Sequence, residues 1–311
     1  MPETRRSLKV GILLPEGEGR MGGATASWAD LMALARLAED VGLDSLWVPD
    51  HLLYRSEGEV SRGTAESCSL LAALAAVTNR IELGSFVTCS SFRNPALLAK
   101  IADTIDEISG GRLILGLGAG WHEPEYLAYG YPFDHRVSRF EEALVIITGL
   151  LRDGHVDFDG QYYQARDCEL RPRGPRPSGP PIMIGTTGKR MLALTAQYAD
   201  LWNIFFSKTG NSVERIPEFQ ATVDATCIAA GREPATLGRT AAVLLQAIPE
   251  APSLKTVELG DAPVLTGTPE DLVAALGAYA DAGITHVQLV LEPCTRAGIE
   301  AFVPVLEQLR R

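Results

Sequence analysis

The hydrophobic pattern of the chain switches repeatedly between short apolar runs and stretches with helical spacing. Leu8 to Leu14 is apolar until Pro15 stops it, which predicts a first buried strand. A Gly-rich loop follows, with Ser27 placed to cap a helix. From Trp28 to Val41 the apolar positions Leu31, Leu34, Ala35, Ala38 and Val41 share one helical face. Gly42 stands where a left-handed terminator belongs, and Asp44 to Val48 reads as the second strand. The unit recurs near the other end: Leu272, Val273, Leu276, Tyr279 and Ala280 form a face between Asp271 and Ala282, Gly283 ends it, and Ile284 to Leu291 is β-rich.

Between these ends, strands are predicted near Ile81 to Val87, Leu113 to Leu117, Ile182 to Gly185, Leu201 to Ile204 and Thr240 to Ala247. Helices are predicted near Ala65 to Val77, Pro95 to Ile108, Arg139 to Leu151, Lys189 to Ala199, Ser212 to Ala230 and after Gly298. Strand and helix in alternation is the rhythm of parallel α/β architecture, and this many pairs favour a closed (β/α)8 TIM barrel, residues 1–311 as a single domain, over an open sheet. Gly154 to Pro181 is rich in turn signals and reads as an insertion between the fourth helix and the fifth strand. Phe158 to Tyr163 suggests a small hairpin in it, and the Pro-rich remainder a rigid path back to the barrel floor. Arg20 to Ala26 and Tyr54 to Thr64 read as mobile-lid candidates at the functional end.

Composition narrows the function classes. At 311 residues and 46% hydrophobic, the chain has material for one large core, two ordinary domains being the alternative. A net charge of −11 argues against nucleic acid or an anionic membrane surface, leaving room for a local basic pocket. Met1 to Ser7 is polar and basic without a signal-peptide core behind it, no apolar run is long enough to span a bilayer, and a cytoplasmic protein is the expectation. Cys68, Cys89, Cys168, Cys227 and Cys294 are scattered, so reduced, mostly buried thiols are the default.

Several motifs carry chemistry only in part. Gly116-Leu117-Gly118-Ala119-Gly120-Trp121 follows a strand but has Trp121 where a dinucleotide fingerprint needs glycine, and no helix is predicted to start directly after it. Gly185-Thr186-Thr187-Gly188-Lys189-Arg190 lacks the first glycine and the Ser/Thr of a nucleotide-triphosphate loop. It remains either a phosphate cradle at a helix start or a tight turn with threonine capping. Asp50-His51 directly follows the second strand, at the barrel end where reacting groups gather. A histidine there can exchange a proton near neutral pH and Asp50 can fix its tautomer, although a lone histidine is more often structural. Trp121-His122-Glu123-Pro124-Glu125-Tyr126 mixes aromatic and titratable groups suited to a planar ligand, against the reading of a loop anchored by a buried Trp. His122, His135, His155 and His286 show no metal-ligand spacing, and no metal is expected. Arg171, Arg173 and Arg176 read as a solvated basic face, or as groups that meet an acidic cofactor tail.

Taken together, Gly42 to His51, Asn94 to Lys100, Gly118 to Trp121 and Pro181 to Gly185 resemble the luciferase-like flavin and deazaflavin oxidoreductases over nearly the full chain. Gly130 to Phe133 and Tyr198 to Asn203 resemble the branch that uses the deazaflavin F420. The resemblance implies a ring bound across the strand ends by Asp50, His51, Phe86, Val87, Thr88, Gly118, Ala119, Gly120 and Trp121. It implies a phosphate site at Gly185, Thr186, Thr187 and Gly188, where Thr186 and Thr187 replace glycines common in the family. It also implies a non-proline cis peptide between Ser85 and Thr88. The expected activity is hydride transfer between F420 and a small organic substrate (imine, enone, carbonyl or alcohol), with His51 moving the proton and Glu123 tuning charge or binding substrate. The alternatives are an FMN-dependent monooxygenase, and a non-catalytic ligand-binding protein on the same scaffold. A separate F420 or FMN reductase and a homodimer are the expected partners.

Overall fold

A computed structural model describes residues 8–56, 58, 60–251 and 262–310. The described residues contain eight parallel strands closed into a barrel. They are β1 (Lys9–Leu13), β2 (Ser45–Val48), β3 (Glu82–Ser85), β4 (Leu113–Gly118), β5 (Ile182–Gly185), β6 (Leu201–Ile204), β7 (Gly238–Gln246) and β8 (His286–Glu292). Each pairs with the next, β4 pairs with β5 through Leu115 and Ile182, and β8 returns to β1 through Val287 and Val10, so no edge is left open. Every predicted strand is present within a few residues of its expected limits. The polar start, Met1 to Ser7, lies outside the described residues, as do residues 57 and 59 in the loop from Tyr54 to Thr64.

The helices form the outer layer, and their ends follow from local chemistry. In α1 (Trp28–Asp40), Ser27 and Asp30 form a reciprocal capping box, and Leu31, Leu34, Ala35 and Ala38 are buried against the barrel. Gly42 has a φ of +82°, and a β-carbon there would lie 1.6 Å from Arg310 Nη2, so the turn into β2 requires glycine twice over. α2 (Ser67–Val77) and α3 (Pro95–Ser109) follow β2 and β3, and Asn94 caps α3 by accepting from the Ala96 and Leu97 N–H groups. A short α4 (Glu123–Tyr129), absent from the sequence expectation, starts three residues after Gly120, and α5 (Arg136–Thr148) follows it. The remaining long helices are α6 (Lys189–Tyr198), α7 (Ile216–Ala229), α8 (Pro269–Asp281) and α9 (Arg296–Leu309), with one short turn of helix at Phe206–Thr209. No helix of the described residues is long and apolar enough to cross a membrane.

The barrel interior is partly polar. His286, at the start of β8, is fully buried against Ser45 Oγ at 2.7 Å, and burial pushes its imidazole down to about 3, which keeps it neutral. Asn203 Nδ2 donates to Thr240 Oγ1 and to Gln288 Oε1, each at 2.8 Å, tying β6, β7 and β8 together across the core.

In the insertion, strands His155–Asp159 and Gln164–Glu169 form a hairpin longer than the one expected over Phe158 to Tyr163. The arginines after it correct the reading of a solvated basic face. Arg176 clamps buried Asp106 of α3 with two bonds and donates to Leu113 O at the start of β4, while Arg173 donates to Leu151 O at 2.6 Å and to Pro177 O at 2.5 Å. Both staple the Pro-rich return path to the barrel, where bidentate geometry and carbonyl acceptors hold a guanidinium more firmly than water does. Arg171 is exposed and paired with Glu169, and Arg173 is exposed although its guanidinium is bound to carbonyls.

Candidate active site

At the C-terminal mouth of the barrel is a cavity of about 690 Å³, a size common for ligand sites. Its apolar lining includes Leu13, Phe86, Val87, Phe205 and Val290, and its rim carries charge from Glu16, Glu18, Arg20, Arg62, Arg136 and Lys208. Of the expected cofactor residues, Asp50, His51, Phe86, Val87, Gly118, Ala119, Gly120, Trp121, Gly185, Thr186 and Thr187 line it. Thr88 is buried outside the lining, and Gly188 lies exposed at the start of α6.

His51 leaves β2 into the mouth, and its Nδ1 lies 2.9 Å from Glu125 Oε1. The second oxygen of Glu125 accepts from the Leu52 N–H at 2.9 Å and more weakly from Leu53 at 3.4 Å. This carboxylate is 98% shielded, so α4 delivers a fixed acceptor that sets the imidazole tautomer and leaves Nε2 for other work. Tyr54 and Trp121 pack on His51 at ring-centre distances of 4.3 and 5.5 Å. Trp121 itself is 52% exposed, which removes the reading of a buried anchor.

Two expected roles change. Asp50 does not reach His51: its buried carboxylate takes two bonds from Arg93, at 2.7 and 2.8 Å, one from Ser67 Oγ at 2.6 Å and one from the Cys89 N–H at 2.8 Å. With its acceptor sites so occupied, it is a strut between the end of β2 and the chain beyond β3, and Glu125 rather than Asp50 fixes the His51 tautomer. Glu123 is exposed on the first turn of α4 and does not line the cavity, whereas Glu125 points inward. The missing signal was α4 itself: a helix starting at Glu123 buries Glu125 and Tyr126 together, and Gly130 in left-handed geometry ends it.

The two glycines of Gly116-Leu117-Gly118 have a packing cause. A β-carbon on Gly116 would come 2.0 Å from Ser85 O, and one on Gly118 would come 2.6 Å from Val87 Cγ2. The chain after β3 lies directly over these positions. The peptide between Phe86 and Val87 is cis, at the expected place, and Thr88 and Cys89 then pair with Leu117 and Gly118.

The loop from Gly185 to Gly188 spends part of its donor set internally. Thr186 N–H donates to Asn203 O and Gly188 N–H to Thr186 Oγ1, each at 3.2 Å. Gly188 takes the cap position of α6 without a side-chain bond, so threonine capping in its ordinary form is absent. Thr187 lines the cavity, and no hydrogen bond occupies its N–H among the described residues. No cluster of metal-ligating side chains occurs among the described residues.

At the end of β8, Glu292 lines the cavity, a position the sequence reading missed. Burial pushes its carboxyl up to about 6, against the opposing pull of Arg20.

The chain is similar to several known proteins. Pyrimidine monooxygenase RutA of Cronobacter sakazakii is 36% identical over 174 residues, which cover 54% of this chain and 50% of that protein. The 5,10-methylenetetrahydromethanopterin reductase of Archaeoglobus fulgidus is also 36% identical, over 171 residues covering 55% and 47%. The chain thus spans about half the length of the curated relatives it matches. An F420-dependent secondary alcohol dehydrogenase, solved with an F420-acetone adduct, superposes over 98% of this chain and 99% of its own with a TM-score of 0.80 at 19% identity, which speaks for the fold. The model of the luciferase-like monooxygenase family matches residues 8–248, so the chain belongs to that family and is an enzyme of the luciferase-like type.

Proposed function

We propose that the cavity binds F420 and that the enzyme transfers a hydride to or from a small organic substrate, with His51 handling the accompanying proton. The observation that carries this reading is the pair of His51 and Glu125 at the cavity wall, one ring nitrogen fixed and the other left to exchange a proton. When bound, the deazaflavin supplies the hydride. The chain supplies position: Val87 and Phe86 offer an apolar support for a ring, Trp121 a half-exposed aromatic wall, and Glu125 holds the proton-exchanging group in place. The Thr187 N–H and hydroxyl, with the cations Lys208 and Arg62 elsewhere on the rim, suit a phosphorylated tail. Glu125 takes over in this reading the place that the sequence assigned to Glu123.

A second reading is an FMN-dependent monooxygenase supplied with reduced flavin by a separate reductase, and the likeness to RutA favours it. Titration of the purified protein with oxidised F420 and with FMN, followed by cofactor fluorescence, separates the two. Saturable F420 binding, tighter than that of FMN, is the expected result. Tight FMN binding without F420 binding would sink the first reading and leave the second.

A further inference from the structure

The corner of the cavity between the ends of β8 and β1 holds charge that the His51 and Glu125 pair does not use. The Glu292 side chain is only 3% exposed, and its Oε1 lies 3.4 Å from Arg20 Nη2. Its Oε2 is shielded from bulk water and has no hydrogen-bond partner. Glu16 and Cys294 line the same cavity. Leu13 and Val290 supply apolar surface nearby.

A buried carboxylate with an unbonded oxygen is costly to keep unless a partner arrives from elsewhere. Such a group also discriminates strongly, because a ligand that lacks the matching donor leaves it unpaired. The terminal torsion of a glutamate is soft, so either oxygen can turn to a ligand in the cavity. The carboxylate selects the partner: an anion is repelled, a neutral hydroxyl gains one ordinary hydrogen bond, and a cationic nitrogen gains a charge-assisted one.

We propose that Glu292 is a specificity residue that receives a protonated nitrogen of the substrate, so that the substrate class is organic amines and their iminium counterparts. This rests on the cavity being the reaction site. Arg20, on a loop flanked by Gly19, Gly22 and Gly23 in left-handed geometry, stays beside the carboxylate while the incoming nitrogen takes the oxygen that turns to the cavity.

The test titrates the full chain with cyclohexylamine, cyclohexanol and cyclohexanecarboxylate by calorimetry, with and without the cofactor that binds. The ammonium is expected to bind about tenfold or more tighter than the other two, the scale of a charge-assisted bond. The isosteric Glu292→Gln variant is expected to lose that preference while its melting temperature and cofactor affinity stay near wild type. Equal affinity of the wild-type protein for all three probes, or an ammonium preference that survives Glu292→Gln, would overturn the proposal. Absence of cofactor binding would instead count against the function proposed above, and the cofactor-free titrations still read the Glu292 preference.

Discussion

Replacing His51 by Asn is expected to lower kcat by about 10²–10⁴-fold, the usual contribution of a positioned acid–base group, with the Kd for cofactor nearly unchanged. The expectation follows from geometry. Glu125 Oε1 holds Nδ1 at 2.9 Å, so the imidazole is oriented before any substrate arrives. Asn preserves a polar group of similar reach but cannot shuttle a proton. Glu125→Gln should give a smaller loss in kcat, because the amide keeps the shape and can still bond the ring while losing the charge that favours one tautomer. Steady-state kinetics beside cofactor titration checks both. An unchanged kcat in the His51 variant would reduce the residue to part of the cavity wall.

The largest effect on stability is expected at Asp50. Its removal in Asp50→Ala leaves the Arg93 side chain, 11% exposed, without its two-bonded partner, and strips acceptors from Ser67 Oγ and the Cys89 N–H. Breaking a buried ion pair from one side costs about 3–5 kcal/mol, far more than the pair contributes relative to an apolar replacement. Arg93 also meets Glu66, which is partly exposed and retains some of the charge compensation. The double variant Asp50→Ala, Arg93→Met is therefore expected to recover most of the loss, since no buried charge is left alone. Urea unfolding of the two variants measures this, and a loss below about 1 kcal/mol in Asp50→Ala would contradict the role of the pair. Because Asp50 also bonds the backbone after β3, its loss should weaken cofactor affinity as well, by loosening Phe86 and Val87.

The contrast between these two neighbours shows what a sequence can and cannot carry. The barrel was legible because each strand is a short buried run and each helix shows a stripe such as Leu31, Leu34, Ala35 and Ala38, both of which are local periodicities. His51 was legible for a related reason: its position after β2 fixes which end of the barrel it occupies. Its partner was not. Glu125 lies 74 residues away on a seven-residue helix whose cap, His122, gives no side-chain capping bond, so neither periodicity nor a start signal marked it. Asp50 and Arg93 are 43 residues apart, and their pairing exists only once β2 and the chain after β3 lie side by side. Arg173 and Arg176 look solvated in sequence because the carbonyls and the carboxylate they bind come from other elements. Glu292 stands just past the apolar run Ile284 to Leu291 in sequence, and its open oxygen is a property of the surrounding packing.

The central claim is that F420 occupies the mouth beside His51, and a crystal structure with the cofactor bound tests it most directly. The account predicts the ring in the cavity against Val87 and Trp121, with His51 beside it and phosphate oxygens at Thr187. A ring bound elsewhere, or one seated in the mouth but separated from His51 by other side chains, would contradict it.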